Sequence, residues 1–201
     1  MSDREGIFQG DDPLKVMQRW LGEAEEREID DANAMVLSTA DATGMPDSRV
    51  VLLKGIDADG LVFFTNYDSG KGRQLSENPR AAINLHWKSL RRQVRARGMV
   101  SKLTAMDSDD YFQSRPLSSR IGAWASRQSQ PLASKSQLMK DVAAAGLKHG
   151  LAPERPPNWG GFRLVPAEIE FWCAGEFRLH DRFRWARQSA KDAWTVRRLY
   201  P

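Results

Sequence analysis

Residues 35–65 read MVLSTADATGMPDSRVVLLKGIDADGLVFFT, and this stretch decides the fold. Met35 to Ala40 is strand-like, and Asp41-Ala-Thr-Gly44 carries turn residues. Ser48 to Gly55 contains the continuous apolar run Val50, Val51, Leu52 and Leu53, a pattern suited to a strand buried on both faces. Asp57-Ala-Asp-Gly60 is a second turn and Leu61 to Thr65 a third strand. Connections this short permit only antiparallel neighbours, because parallel strands need a long crossover.

Upstream, Asp12 and Pro13 read as an N-cap and a first helical position. Leu14, Met17, Trp20, Leu21 and Ala24 then recur at helical spacing, which predicts a helix over 13–28. Downstream, Ser69 to Glu77 reads as a short helix stopped by Asn78-Pro79, and Ala81 to Trp87 with Gln93 to Leu103 as a hairpin. From Thr104 to His149 the pattern is helical. It opens on Thr104-Ala-Met-Asp107, a capping box with Asp in place of Glu, breaks at Arg115-Pro116, resumes near Ser118, and resumes again over 134–148. Leu151 to Asn158, with Pro153, Pro156 and Pro157, is a stiff loop. Strands return at 161–165, 168–173, 178–187 and 194–199. The expectation is a mainly β (α+β) chain, one domain over 1–201, with an N-terminal helix at 13–28 and a helical subdomain at 104–149. Many antiparallel strands and few helices argue for a closed or split barrel, which removes sheet edges. The alternating βα order of a dinucleotide fold is absent, as is any G-x-G-x-x-G.

Composition narrows the function classes. The 201 residues carry 30 basic and 26 acidic side chains, a formal charge of +4, and arginine outnumbers lysine 21 to 9. Arginine's rigid fork suits phosphate and carboxylate, although compositional bias alone could produce the surplus. A single cysteine, Cys173, excludes an internal disulfide framework and reads as a packing thiol. His86, His149 and His180 lack metal-ligand spacing, so no metal is expected. No apolar run of 18 residues occurs, and Met1 to Asp12 has no signal-peptide core. A soluble cytoplasmic chain without membrane or nucleic-acid partners is expected. A nucleic-acid-binding barrel would need aromatics beside basic stripes, and none is visible.

Three segments could carry chemistry. Arg49 and Lys54 bracket the apolar run and either mark the wet ends of a strand or hold an anion. Tyr111, Arg115 and Ser119 are spaced four apart and share a face if the helix continues past Pro116. A phenol, a guanidinium and a hydroxyl then suit a phosphate monoester, while a helix-terminal arginine and a capping serine fit the spacing equally well. In a strand over 178–187, Arg178, His180 and Arg182 point to one face, and two such arginines repel unless an anion lies between them. Phe177, Leu179 and Phe183 would face the core. Ser126-Arg-Gln128-Ser129 alone is weak evidence. No serine nucleophile elbow, paired-carboxylate motif or P-loop is present.

Together, RVVLLK (49–54), VFFTN (62–66), QLSENPRAAI (74–83), YFQSRP (111–116), IGAWASRQS (121–129) and WGGFR through EIEFW to RLHDR (159–182) resemble the pyridoxine/pyridoxamine 5′-phosphate oxidase family, from about Pro13 to Pro201. The resemblance implies a homodimeric split β-barrel with flavin mononucleotide (FMN) at the subunit interface. It implies oxidation of pyridoxamine or pyridoxine 5′-phosphate to pyridoxal 5′-phosphate, with O2 as acceptor and H2O2 released. Carried over by position, the FMN site would use Arg49, Val50, Val51, Leu52, Leu53, Lys54, Phe64, Thr65, Lys71, Gln93, Gln128, Ser129, Trp172 and Arg182. Lys54, Tyr111, Arg115 and Ser119 would hold the vitamin phosphate. Arg178 and His180 would be catalytic, with Leu179 beside them at the substrate.

Two departures from the pattern stand out. The arm before the first helix is short, with Arg4 and Phe8 poor stand-ins for a longer basic and aromatic arm, so weaker substrate retention is expected. Gly70 replaces a common arginine, so that one phosphate contact is lost or Arg73 supplies it. The alternatives are a related split-barrel flavin oxidase of phenazine type, which would lose the vitamin-phosphate residues, and a non-catalytic flavin- or pyridoxal-phosphate-binding protein.

Overall fold

A computed structural model describes residues 6–201; Arg4 lies outside them. Helix α1 spans Pro13–Glu25, and the Asp12 carboxylate accepts from the Leu14 N–H at 2.9 Å. It stops short of residue 28, and the Arg27 N–H bonds the Ala24 carbonyl three residues back, the tightened turn common at a helix end. Its buried stripe is Leu14, Met17, Trp20 and Ala24, with Val16 beside it.

The strands are β1 (Ala34–Ala40), β2 (Pro46–Leu52), β3 (Gly55–Asp57), β4 (Gly60–Asn66), β5 (Arg80–Trp87), β6 (Arg92–Lys102), β7 (Trp159–Cys173), β8 (Asp181–Ala186) and β9 (Thr195–Arg198). All pairings are antiparallel, in the order β2-β1-β5-β6-β7-β4-β3, with β8 and β9 continuing from β7. The two ends of this path, β2 and β3, are neighbours in sequence. The strand expected over Ser48 to Gly55 is therefore split. The Leu53 N–H bonds the Asn33 carbonyl beside β1, and the Lys54 N–H bonds Val62 of β4, each at 2.8 Å. The chain changes partner within one residue, and that step brings the two ends of the sheet together as a barrel.

The apolar run is not buried on both faces. Val50 is 65% exposed, Val51 and Leu52 are half-buried, and only Leu53 enters the core, at 2%. β2 pairs on one side only, and Ser48 and Val50 on its outer face are exposed. The expected strands 161–165 and 168–173 fuse into β7. The register jumps from Arg97 opposite Glu168 to Gly98 opposite Pro166, which leaves Ala167 as a bulge. A Cβ on Gly98 would lie 2.0 Å from the Val165 carbonyl oxygen, so the bulge requires glycine there. The N-terminal half of β7 pairs with β4 and its C-terminal half with β8.

Residues 178–180 are not strand. Phe177 (φ 52°) and Arg178 (φ 64°) are both left-handed, and a short 3₁₀ turn over Glu176–Arg178 precedes β8. Strand alternation therefore fails: Phe177 and Leu179 are exposed, and of the three expected core residues only Phe183 is buried. Phe8, the aromatic of the short arm, is a core residue. It is 5% exposed and packs on Trp20 and Phe183, with ring centroids at 5.5 and 4.9 Å. Cys173 is half-buried, and burial raises its thiol pKa.

Helix α2 (Gly70–Glu77) is capped by Ser69, whose Oγ accepts from the Gly72 N–H at 3.3 Å. Helices α3 (Ala105–Ser114), α4 (Leu117–Ala125) and α5 (Lys135–His149) form the helical segment. The Thr104 hydroxyl caps α3 through the Asp107 N–H, 3.1 Å, and also meets the Asp107 carboxylate at 2.6 Å. α4 and α5 share a small core of Ile121, Ala125 and Ala145, separate from the barrel core. No described helix is long and apolar enough to cross a membrane.

Candidate active site

A cleft of about 890 Å³ lies between β2, β4, the start of α2, the α3–α4 junction and the loop after α4. Its size is in the ordinary range for small-molecule sites. Thirteen expected residues line it. Arg49, Val50, Val51, Leu52 and Lys54 come from β2 and its exit. Phe64, Thr65 and Lys71 come from β4 and α2. Tyr111, Arg115 and Ser119 come from the helical junction, and Gln128 and Ser129 from the loop. Leu53 is a core residue and does not line it.

Two cationic centres occupy the cleft. At the first, Lys71 is 8% exposed, and its Nζ donates to Thr65 Oγ1 and Gln128 Oε1 at 3.2 Å and to Ser69 Oγ at 3.4 Å. These acceptors are neutral. Burial pushes the ammonium pKa down, and the nearby Arg49 pushes it further. Arg49 has a partner: Nη2 meets the Asp47 carboxylate at 2.5 Å and Nη1 the Thr39 hydroxyl at 2.6 Å. Arg49 in turn holds the Asp47 carboxyl below the usual range. The Gly70 N–H donates to Ser129 Oγ at 3.1 Å, with Ser129 in the left-handed region at φ 70°. Arg73 does not take the place of an arginine at position 70, because its guanidinium bonds the Asp68 carbonyl and does not line the cleft.

At the second centre, Tyr111 stacks on Phe64 with centroids 3.8 Å apart, and the Arg115 guanidinium lies 4.5 Å above the Trp159 ring. Arg115 Nη1 is buried with no hydrogen-bond partner. Burial lowers the Arg115 pKa and raises that of Tyr111. A buried guanidinium N–H without an acceptor is costly unless a ligand completes it. The helix does not continue past Pro116: Arg115 is extended (φ −77°, ψ 149°). α4 restarts at once, and Tyr111, Arg115 and Ser119 still reach one cleft.

The remaining expected residues lie elsewhere on the same chain. Gln93, Trp172 and Arg182 are directly opposite one another across β6, β7 and β8. His180 sits 4.7 Å from the Trp172 ring, and its Nδ1 accepts from the Gly175 N–H at 3.2 Å, which leaves Nε2 as the nitrogen available to a ligand. Arg178 and Leu179 are exposed beside it. None of these six lines the cleft. Sequence reasoning missed Asp47, Asn66 and Trp159 in the cleft wall. Asp47 stands two residues before Arg49, on the same strand face, and that spacing was its signal.

A family model described as pyridoxamine 5′-phosphate oxidase matches residues 21–173, the span that holds every residue of both cationic centres. The chain belongs to the pyridoxamine 5′-phosphate oxidase family. The oxidoreductase class and the FMN cofactor expected above follow from that membership. A second model, the pyridoxine 5′-phosphate oxidase C-terminal dimerisation region, matches 159–201. Among relatives named pyridoxine/pyridoxamine 5′-phosphate oxidase, that of Ruegeria sp. is 55% identical over the whole of both chains. That of Paracoccus denitrificans is 58% identical, covering 94% of this chain and 88% of its own. Among solved structures, PhzG from Burkholderia lata, in complex with tetrahydrophenazine-1-carboxylic acid, superposes with a TM-score of 0.89 at 33% identity, covering 96% of this chain and 94% of its own. A pyridoxamine 5′-phosphate oxidase-related, FMN-binding protein from Nostoc punctiforme shares the fold at TM-score 0.76 and 16% identity, covering 96% of this chain and all of its own. The residues of the cleft fit the oxidase family's cofactor: a buried lysine among neutral oxygens at a helix start suits a phosphate.

Proposed function

We propose that the protein oxidises pyridoxamine 5′-phosphate and pyridoxine 5′-phosphate to pyridoxal 5′-phosphate, as a homodimer with O2 as electron acceptor and H2O2 as by-product. The observation that carries the reading is the pair of cationic centres in one cleft, Lys71 with its neutral acceptors and Arg115 with its unpartnered Nη1. Two phosphorylated ligands, one per centre, satisfy both. The Lys71 centre, with Arg49, Thr65, Gln128 and Ser129, takes the FMN phosphate. Lys54, Tyr111, Arg115 and Ser119 take the vitamin phosphate. FMN, when bound, supplies the two-electron acceptor that dioxygen regenerates.

The chain's own groups bind and orient. Anchoring each ligand by its phosphate fixes where its ring lies. The aromatic layer of Phe64, Tyr111 and Trp159 forms an apolar wall beside Arg115. Gln93, Trp172, Arg178, Leu179, His180 and Arg182 belong to a partner protomer in this reading. They are placed across the interface over the cleft, with Arg178 orienting the substrate and balancing charge and His180 supporting it. The support is their absence from the chain's own cleft together with the dimerisation-region match.

A phenazine-type activity is the second reading, favoured by the likeness to PhzG. The intact second centre weighs against it. The test is to supply purified, flavin-loaded protein with pyridoxamine phosphate in air and assay aldehyde and peroxide, for wild type and Arg115→Ala. Both products are expected. Arg115→Ala should raise KM for the phosphorylated substrate at least about tenfold with flavin retained. Bound flavin without aldehyde would remove the reading.

A further inference from the structure

The Glu170 carboxylate has no role in the site as read so far, yet it is among the few buried charged side chains, at 7% exposure. Its two oxygens are divided between two arginines. Oε2 accepts from Arg95 Nη2 at 2.6 Å, and Oε1 accepts from Arg182 Nε and Nη2 at 3.0 and 2.8 Å. The residue directly opposite Glu170 on β8 is Arg184, but Arg184 turns to Glu168 at 3.3 Å. Arg182 therefore reaches diagonally from its place opposite Trp172. Its Nη1 donates to the Tyr200 carbonyl at 3.0 Å. A guanidinium has five N–H donors. Three are used within the chain, and one on Nη1 and one on Nη2 remain.

We infer that Glu170 is a positioning residue for flavin binding: it grips Arg182 along one edge so that the two remaining donors are presented, pre-oriented, to an acceptor on the bound FMN. One carboxylate shared by two arginines leaves a net positive charge, which favours an electron-rich acceptor. A loose arginine would lose rotamer freedom on binding, and the two-point grip removes that cost beforehand. Arg95 holds the carboxylate from the far side and keeps it from rotating with its guest. The inference rests on reading Arg182 as a flavin contact.

The experiment titrates FMN into apoprotein and follows quenching of flavin fluorescence and the visible spectrum of the bound flavin. It compares wild type, Glu170→Gln, Glu170→Ala, Arg182→Ala and the double variant Glu170→Ala/Arg182→Ala. Glu170→Ala and Arg182→Ala should each weaken FMN about tenfold and shift the flavin band in the same direction, with the double variant no worse than Arg182→Ala alone. Glu170→Gln keeps one acceptor oxygen and should fall between wild type and Glu170→Ala; it also serves if the alanine variant fails to fold. Losses that add in the double variant would make the residue merely structural and overturn the inference. Weakening in Arg182→Ala without any in either Glu170 variant would overturn it alone. Wild-type affinity in Arg182→Ala would overturn the reading of Arg182 and the inference with it.

Discussion

At Lys71 an ammonium is surrounded by three neutral oxygens and a neighbouring guanidinium, so its pKa lies below the ordinary 10.5. Between the depressed value and 10.5 the unfolded chain binds more protons than the apoprotein. Apoprotein stability should therefore rise with pH through that window. An anionic ligand favours the charged form, so FMN binding should take up a proton there, and affinity should fall as pH rises through the depressed value. Calorimetric titrations in two alkaline buffers of different ionisation enthalpy test this. The apparent enthalpy should differ between buffers for wild type and coincide for Lys71→Met. Legibility at this scale was uneven. The spacing of Tyr111, Arg115 and Ser119 and the bracketing of the apolar run by Arg49 and Lys54 were visible in the sequence. Lys71 entered only through family resemblance, because nothing local says that a lysine on a helix of eight residues is buried. Trp159 lay in a quoted motif, but its place under Arg115 depends on β7 meeting α3.

The α2 start is held by contact of backbone on backbone. A Cβ on Gly72 would lie 2.1 Å from the Tyr67 carbonyl oxygen and 2.8 Å from that of Asn66. Gly72→Ala should displace the helix start, costing about 1–3 kcal/mol in urea unfolding. It should also weaken FMN, because Gly70 and Lys71 move with it; unchanged affinity would show that the displacement is absorbed elsewhere. Helix starts were the most legible elements. Asp12 and Thr104 cap as expected, and Ser69 and Ser134, read as the first residues of their helices, stand one place before them as caps, because a cap is decided within four residues. The split between β2 and β3 was not legible, since it depends on Leu53 and Lys54 finding hydrogen-bond partners on different strands. Nor was the left-handed pair Phe177-Arg178, which interrupts a pattern that reads as plain strand alternation.

At the scale of the molecule, the expected site residues fall on two surfaces of one chain, which a partner copy could bring together. Subunit complementation tests this. A dimer of Arg115→Ala with Arg178→Ala has one site carrying both lesions and one carrying neither. Mixing, unfolding and refolding the two variants should therefore restore up to about a quarter of wild-type activity at limiting substrate. No recovery would place each site within a single protomer. The surplus of arginine also becomes specific at this scale: Arg49, Arg115 and Arg182 each stand in a defined setting, while others remain ordinary surface charge. The closure of the barrel has a consequence for synthesis on the ribosome. β4 has β3 as a hairpin partner at once, but its other edge waits for β7, where Phe63 meets Phe162 about a hundred residues later. Until that segment leaves the exit tunnel, the nascent chain carries a hairpin and a four-stranded sheet not yet bridged by β7, with the β4 and β6 edges that it fills open to chaperones.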